Sequence, residues 1–176
     1  MSNNVILSFD PGTTRSAYAV LDRGEMKILG FGLVENEELN FMIKQLISKY
    51  QPRHLVIEMI KSYGNAMSDH CLMTCVWIGR FWETWNRESQ NAPMTLLPRK
   101  TIVTEVCMNP RANDTNVRRA MIDMFGEVGT KKNPGPLFGV ANDIWSAIAV
   151  GVGWDMIQKR EFVKLTNELT LSLNKD

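Results

Sequence analysis

The sequence predicts an α/β fold: a mixed five-stranded sheet, an antiparallel meander continued by parallel strands, flanked by helices. Three observations carry this. The N-terminal part holds three strand-like apolar runs joined by short turns. Beyond them, helical and strand-like periods alternate, the pattern of strands linked by crossover helices. The 176 residues, 44% hydrophobic and 22% charged, suffice for one domain with a real core.

The elements follow in chain order. VILSFD is a buried strand, SAYAVLD alternates, and KILGFGLV follows the turn Asp22-Arg23-Gly24-Glu25. NEELNFMIKQLISKY carries Leu39, Met42, Ile43, Leu46, Ile47 and Tyr50 at helical spacing, and Gln51-Pro52 stops it. HLVIEMI is a fourth strand, with Glu58 inside it. Residues 66–88 read as a long helix whose apolar side chains, Leu72, Val76, Phe81 and Trp82 among them, cover too much of its circumference for one buried face. Such a helix meets two surfaces, and a partner subunit suits the second; a central core helix is the alternative. MTLLP is the fifth strand. Residues 98–108 and 114–125 predict two short helices, the second ended by Gly126. A Gly/Pro loop with two lysines, GEVGTKKNPGPLFG, precedes a final helix that opens at Asn142 or Asp143 and runs to about residue 162. The expected division is a domain over 1–162 and a tail over 163–176.

Composition excludes several classes. The N-terminus lacks a basic region and reaches an aspartate too early for a signal peptide. The longest apolar run, residues 144–154, falls short of the roughly 20 residues needed to span a bilayer, so a soluble protein with no membrane association is expected. Three cysteines do not make a disulfide framework, and Cys71 and Cys75, one helical turn apart, read as buried small side chains. The net charge is +1, but residues 1–40 carry 3 basic and 6 acidic side chains while 98–132 carry 7 basic and 4 acidic. That asymmetry permits a local phosphate-binding surface on a nearly neutral chain.

Three acids stand out by context: Asp10 at the end of the first strand, Glu58 within an apolar strand, and Asp143 at the start of an apolar helix. If the two strands are neighbours, their carboxylates converge at one end of the sheet. Gathering unpaired carboxylates is costly in low dielectric, and a divalent cation removes that cost. Mg²⁺ and Mn²⁺ take carboxylate and water oxygens, and two such ions can drive phosphodiester hydrolysis. Each acid also has an ordinary reading: Asp-Pro-Gly is good turn chemistry, and Asp143 suits the first turn of a helix. Glu58, between Ile57 and Met59, is the hardest to explain that way.

SFDPGTTRSAYAVLD, LVIEMI and ANDIWSAIAVGVGW resemble the three acidic motifs of RuvC-type Holliday junction resolvases, in the ribonuclease H-like superfamily. PRKTIVTEVC, NVRRAMIDMFG and KKNPGPLFGV resemble the phage-encoded branch of that family, and the likeness spans residues 5–154 in order. The resemblance implies a ribonuclease H-like fold and a homodimeric endonuclease, acting in the bacterial cytoplasm, that nicks branched DNA with Mg²⁺ or Mn²⁺, two ions per active site. It makes Asp10, Glu58 and Asp143 the catalytic metal ligands. The family's fourth ligand falls at Val140, a departure that leaves Asn142 as the nearest polar substitute. The loop KSYGNAMS would enter the junction with Tyr63 as its stacking aromatic. Lys61, Arg99, Lys100, Arg118, Arg119, Lys131 and Lys132 are the candidate phosphate contacts, the last two just ahead of the Asp143 motif. The 66–88 helix is the candidate dimer contact.

Other readings compete. Sugar-kinase and actin-like ATPases also open with a strand, an aspartate and a Gly-Thr-Thr turn, but that fold needs two such lobes and 176 residues supply one. A related nuclease acting on RNA or another DNA branch fits the same acids. So does a junction-binding protein with weakened catalysis, given Val140.

Overall fold

The three N-terminal runs form the meander expected of them. In the computed structural model, which describes residues 4–62, 64 and 66–173, β1 (Val5–Asp10), β2 (Arg15–Asp22) and β3 (Lys27–Glu35) pair antiparallel. Asp22 closes the second turn, its Oδ1 accepting from the backbone N–H of Gly24 (2.9 Å) and Glu25 (3.2 Å). Helix α1 (Asn36–Tyr50) leads to β4 (His54–Met59), and α2 (Asp69–Glu88) leads to β5 (Met94–Pro98). Strand β4 pairs parallel with β1 and β5 parallel with β4, giving the sheet order β3-β2-β1-β4-β5. Helices α3 (Arg99–Cys107), α4 (Asp114–Phe125) and α5 (Ile144–Leu173) complete the chain. The predicted mixed five-stranded sheet flanked by helices is therefore present.

Strand alternation sorts the core into two layers. Val5, Leu7 and Phe9 of β1, with Leu55 and Ile57 of β4, face α1 and α2 and pack on Leu39, Ile43, Ile78, Phe81 and Trp85. Ile6, Val56, Ala17, Ala19 and Leu21 face the other way, toward α3, α4 and α5. Helix α5 lies very close to that face. A Cβ at Gly151 would stand 2.4 Å from Leu21 Cδ1 and 3.0 Å from Ser8 Oγ, so only glycine permits the approach. Ser8, fully buried, donates to the carbonyl of Ala147 at 2.7 Å and ties β1 to α5. At the far end of the sheet, Arg23 Nε reaches the buried Asp155 carboxylate at 2.6 Å, and His54 stacks on Trp154 with ring centroids 4.2 Å apart.

Some boundaries differ from expectation. Helix α2 begins at Asp69, because Ser68 caps it by accepting from Cys71 N at 3.3 Å. Cys71 and Cys75 are half-buried rather than buried, on the flank of α2. The outer face of α2 leaves Leu72, Met73, Val76 and Trp82 exposed while Ile78, Phe81 and Trp85 fill the core. Helix α5 does not stop near Phe162. It continues to Leu173, since nothing from 163 to 173 is glycine or proline, and there it carries exposed Phe162, Leu165 and Leu169. Among the described residues, no helix is long and apolar enough to cross a membrane.

Candidate active site

Strand register brings two of the three acids together. Phe9 pairs with Ile57 in the parallel β1–β4 ladder, so the next residues, Asp10 and Glu58, stand side by side where the strands end. Both have the parity of Ile6 and Val56, which places them on the α5 face of the sheet. The close α5 packing at Ser8, Ala147 and Gly151 then carries the start of that helix to the same end. Asp143 lies in its entry turn, where its carbonyl accepts from Ala147 N at 3.0 Å.

The loop after Asp10 is locked by buried polar groups. A Cβ on Gly12 would sit 2.3 Å from the carbonyl oxygen of Arg15, so the turn requires glycine. Ser16 Oγ donates to Asn36 Oδ1 at 2.6 Å and accepts from Gly12 N at 3.2 Å, while Asn36 Nδ2 donates to the Gly12 carbonyl at 3.0 Å. Both Ser16 and Asn36 are buried. A closed network of this kind holds the backbone behind Asp10 in one geometry.

Electrostatics register the crowding. Burial pushes the Asp10 carboxyl well above the usual range, and Glu58 and Asp143 push it further, against a lowering pull from Arg99. Burial likewise raises Glu58, opposed by Arg99. Arg99, the first residue of α3, spans this cluster. Its Nη1 lies 3.4 Å from Glu58 Oε2 and 3.4 Å from Ser146 Oγ, and its Nη2 forms a short ion pair with Asp114 at the start of α4.

Carboxylate oxygens are the donors that a hard divalent cation takes; here Asp10 and Glu58 are partly buried and Asp143 is exposed. Among the described residues, no three His, Cys, Asp or Glu side chains gather around one point, and Glu58 pairs with Arg99. Val140 contributes nothing to this set. Its side chain is buried in the core beside Leu137. Asn142 is exposed, has a left-handed backbone (φ 48°), and lines an open cleft of about 320 Å³ with Asp143, Asp114, Arg118 and Ser146.

The candidate phosphate contacts divide into groups. Arg118 lies in the cleft just described, its guanidinium 5.5 Å from the Trp145 ring centroid. Lys61 and Lys100 line a second cleft of about 370 Å³, with Thr101 and Thr104. Arg99 is half-exposed and pairs with Glu58 and Asp114. Arg119 pairs with Asp123 on the α4 surface at 2.9 Å, and Lys131 and Lys132 are exposed in the loop closed by the Gly129–Pro134 bridge; none of the three lines either cleft. Tyr63 lies outside the described residues. Asp114, Ser146, Ser16 and Asn36 were not legible as site residues. Asp114 reads in sequence as an ordinary helix-start acid beside the cap Asn113, and nothing linear ties it to Arg99.

By sequence, no family model and no curated protein matches the chain. By structure, it is similar to Thermus thermophilus RuvC, with a TM-score of 0.67 and 13% identity over 89% of this chain and 96% of that one. It is equally similar to T. thermophilus RuvC in complex with a Holliday junction substrate, with a TM-score of 0.69 and 11% identity over the same shares. The chain has a RuvC-like fold. The yeast mitochondrial Holliday junction resolvase Ydc2 is a further neighbour, with a TM-score of 0.59 and 14% identity over 92% of this chain and 83% of that one.

Proposed function

We propose that the chain is a structure-selective endonuclease that nicks branched DNA at Holliday junctions. The observation that carries this is the pairing of Asp10 and Glu58 at the ends of β1 and β4, with Asp143 in the entry to α5 close enough to raise the Asp10 carboxyl, in a sheet with the RuvC-like fold. In this reading the three carboxylates would hold Mg²⁺ or Mn²⁺, two ions when fully loaded, with Asn142 the nearest polar neighbour along the chain to Val140, where the family's fourth ligand falls. When bound, the divalent cation stabilises charge on the reacting phosphodiester and lowers the pKa of the attacking water.

The chain's own residues do the rest. Asp10 and Glu58 are held by rigid strands, so their carboxylates are pre-positioned. Arg118, in the cleft that Asp143 lines, and the pair Lys61 and Lys100, in a second cleft, would supply positive charge for the DNA backbone. Tyr63 would stack on an unpaired base, and Arg119, Lys131 and Lys132 would touch phosphates further from the cut. A second copy seated on the exposed face of α2, through Leu72, Met73, Val76 and Trp82, would present two equivalent sites to symmetric strands.

One observation favours a second reading. Val140 is buried in the core and has no metal donor to offer, as a junction-binding protein with weakened catalysis would tolerate. A nicking assay separates the two. Four-way junctions, three-way junctions, flaps, linear duplex and RNA–DNA hybrids are offered with Mg²⁺ or Mn²⁺, with Asp10→Asn as control. Four-way junctions are expected to be cut first and Asp10→Asn to be inactive. Tight junction binding without cutting would support the second reading, and preferential cutting of hybrids would assign a different substrate.

A further inference from the structure

We propose that Arg99 is the built-in counter-ion of the acid cluster: it bridges Glu58 and Asp114 in the cation-free protein and leaves Glu58 when a divalent cation enters. This rests on reading Asp10, Glu58 and Asp143 as a cation site. The geometry is that of a three-way clasp. One nitrogen of the guanidinium reaches Glu58 on β4 and Ser146 on α5, each at 3.4 Å, and the other pairs with Asp114 on α4. A planar fork with several donors can hold two carboxylates at once, which a lysine cannot do equally well. The two ends of the clasp differ. Glu58 is only 14% exposed, whereas Asp114 is 87% exposed. A cation and a guanidinium on the same Glu58 carboxylate repel each other most where solvent is least. The shielded end is therefore the one that releases, and Asp114 keeps the arm tethered. Arg99 itself is 39% exposed, so it has open space to swing into. From Asp114 it would face the cleft that Arg118 lines, adding its charge to the DNA side of the site as the cation arrives.

Two measurements test this on the full chain. Calorimetric titration with Mn²⁺ compares wild type, Arg99→Gln and Arg99→Lys. Removing the competing charge is expected to tighten Mn²⁺ binding about five- to tenfold in Arg99→Gln, with Arg99→Lys closer to wild type. Asp114→Asn is expected to weaken Mn²⁺ binding more in the wild-type background than in Arg99→Gln, because Asp114 shares the guanidinium with Glu58. In wild type, the NMR resonance of the Arg99 side-chain Nε–H should shift in step with Mg²⁺ saturation. Unchanged or weaker Mn²⁺ binding by Arg99→Gln, or a resonance that stays still at saturating Mg²⁺, overturns the proposal. If junctions are cut in Mn²⁺ while Arg99→Gln binds Mn²⁺ like wild type, only the counter-ion role fails. If no form binds Mn²⁺, the counter-ion role and the cation-site reading fail together.

Discussion

Asp10 combines burial with two acidic neighbours, and that combination has a stability cost which neutralisation should reveal. Asp10→Asn is expected to stabilise the cation-free protein by about 1 kcal/mol, or roughly 2–4 °C in Tm for a chain of this size. It should also abolish any further rise on adding Mg²⁺; thermal unfolding with and without the ion checks both. The pH dependence has two opposed parts. Asp10 and Glu58 have raised carboxyls, so the native state takes up protons before the unfolded chain does, and their contribution to stability grows as pH falls through those raised values. His54 works the other way. Burial against Trp154 and the nearby Arg23 charge lower it to about 4. The unfolded chain is therefore protonated first, and stability is lost as pH falls from about 6.5 toward 4. In His54→Gln that loss should shrink, which Tm measured across this window will show.

At the scale of elements, the site depends on how strand ends and helix starts are held. Asn36→Ala would leave buried Ser16 and the Gly12 carbonyl without their partner. A loss of about 1–3 kcal/mol is expected in denaturant unfolding, together with a fall in cutting rate as the loop behind Asp10 loosens. Most elements were legible in the sequence because their periods are clean: the alternating runs of β1 to β3, the helical spacing of α1, and the Gly126 stop of α4. The two strand acids were legible because an isolated carboxylate in an apolar strand is unusual. What stayed hidden depends on contacts between distant residues. Arg99 reads in sequence as one more basic side chain, and its pairing with Asp114 appears only when α3 and α4 pack beside β4. Val140 reads as a missing ligand, while the fold shows it spent on the core. The extension of α5 to Leu173 is hard to read from the sequence because its apolar residues, Phe162, Leu165 and Leu169 among them, are exposed rather than part of a buried stripe.

For the whole molecule, the proposal assigns assembly to α2 and activity to the three acids. The outer face of α2 carries Val76 at 54% exposure and Trp82 at 43%, and exposed apolar side chains are what an interface would cover. A two-fold contact there predicts that Val76→Glu shifts the protein from dimer to monomer in sedimentation velocity while leaving its far-UV spectrum unchanged. Paired nicking of a junction should fall with the dimer. The central claim, however, is that Asp10, Glu58 and Asp143 act as one catalytic unit on branched DNA, and single-turnover cleavage of a labelled four-way junction in Mg²⁺ tests it most directly. Asp10→Asn, Glu58→Gln and Asp143→Asn are each predicted to slow cutting by at least about 100-fold, and double variants to be little worse than single ones, as residues of a unit behave. Cutting at the wild-type rate by any one of the three would contradict the account.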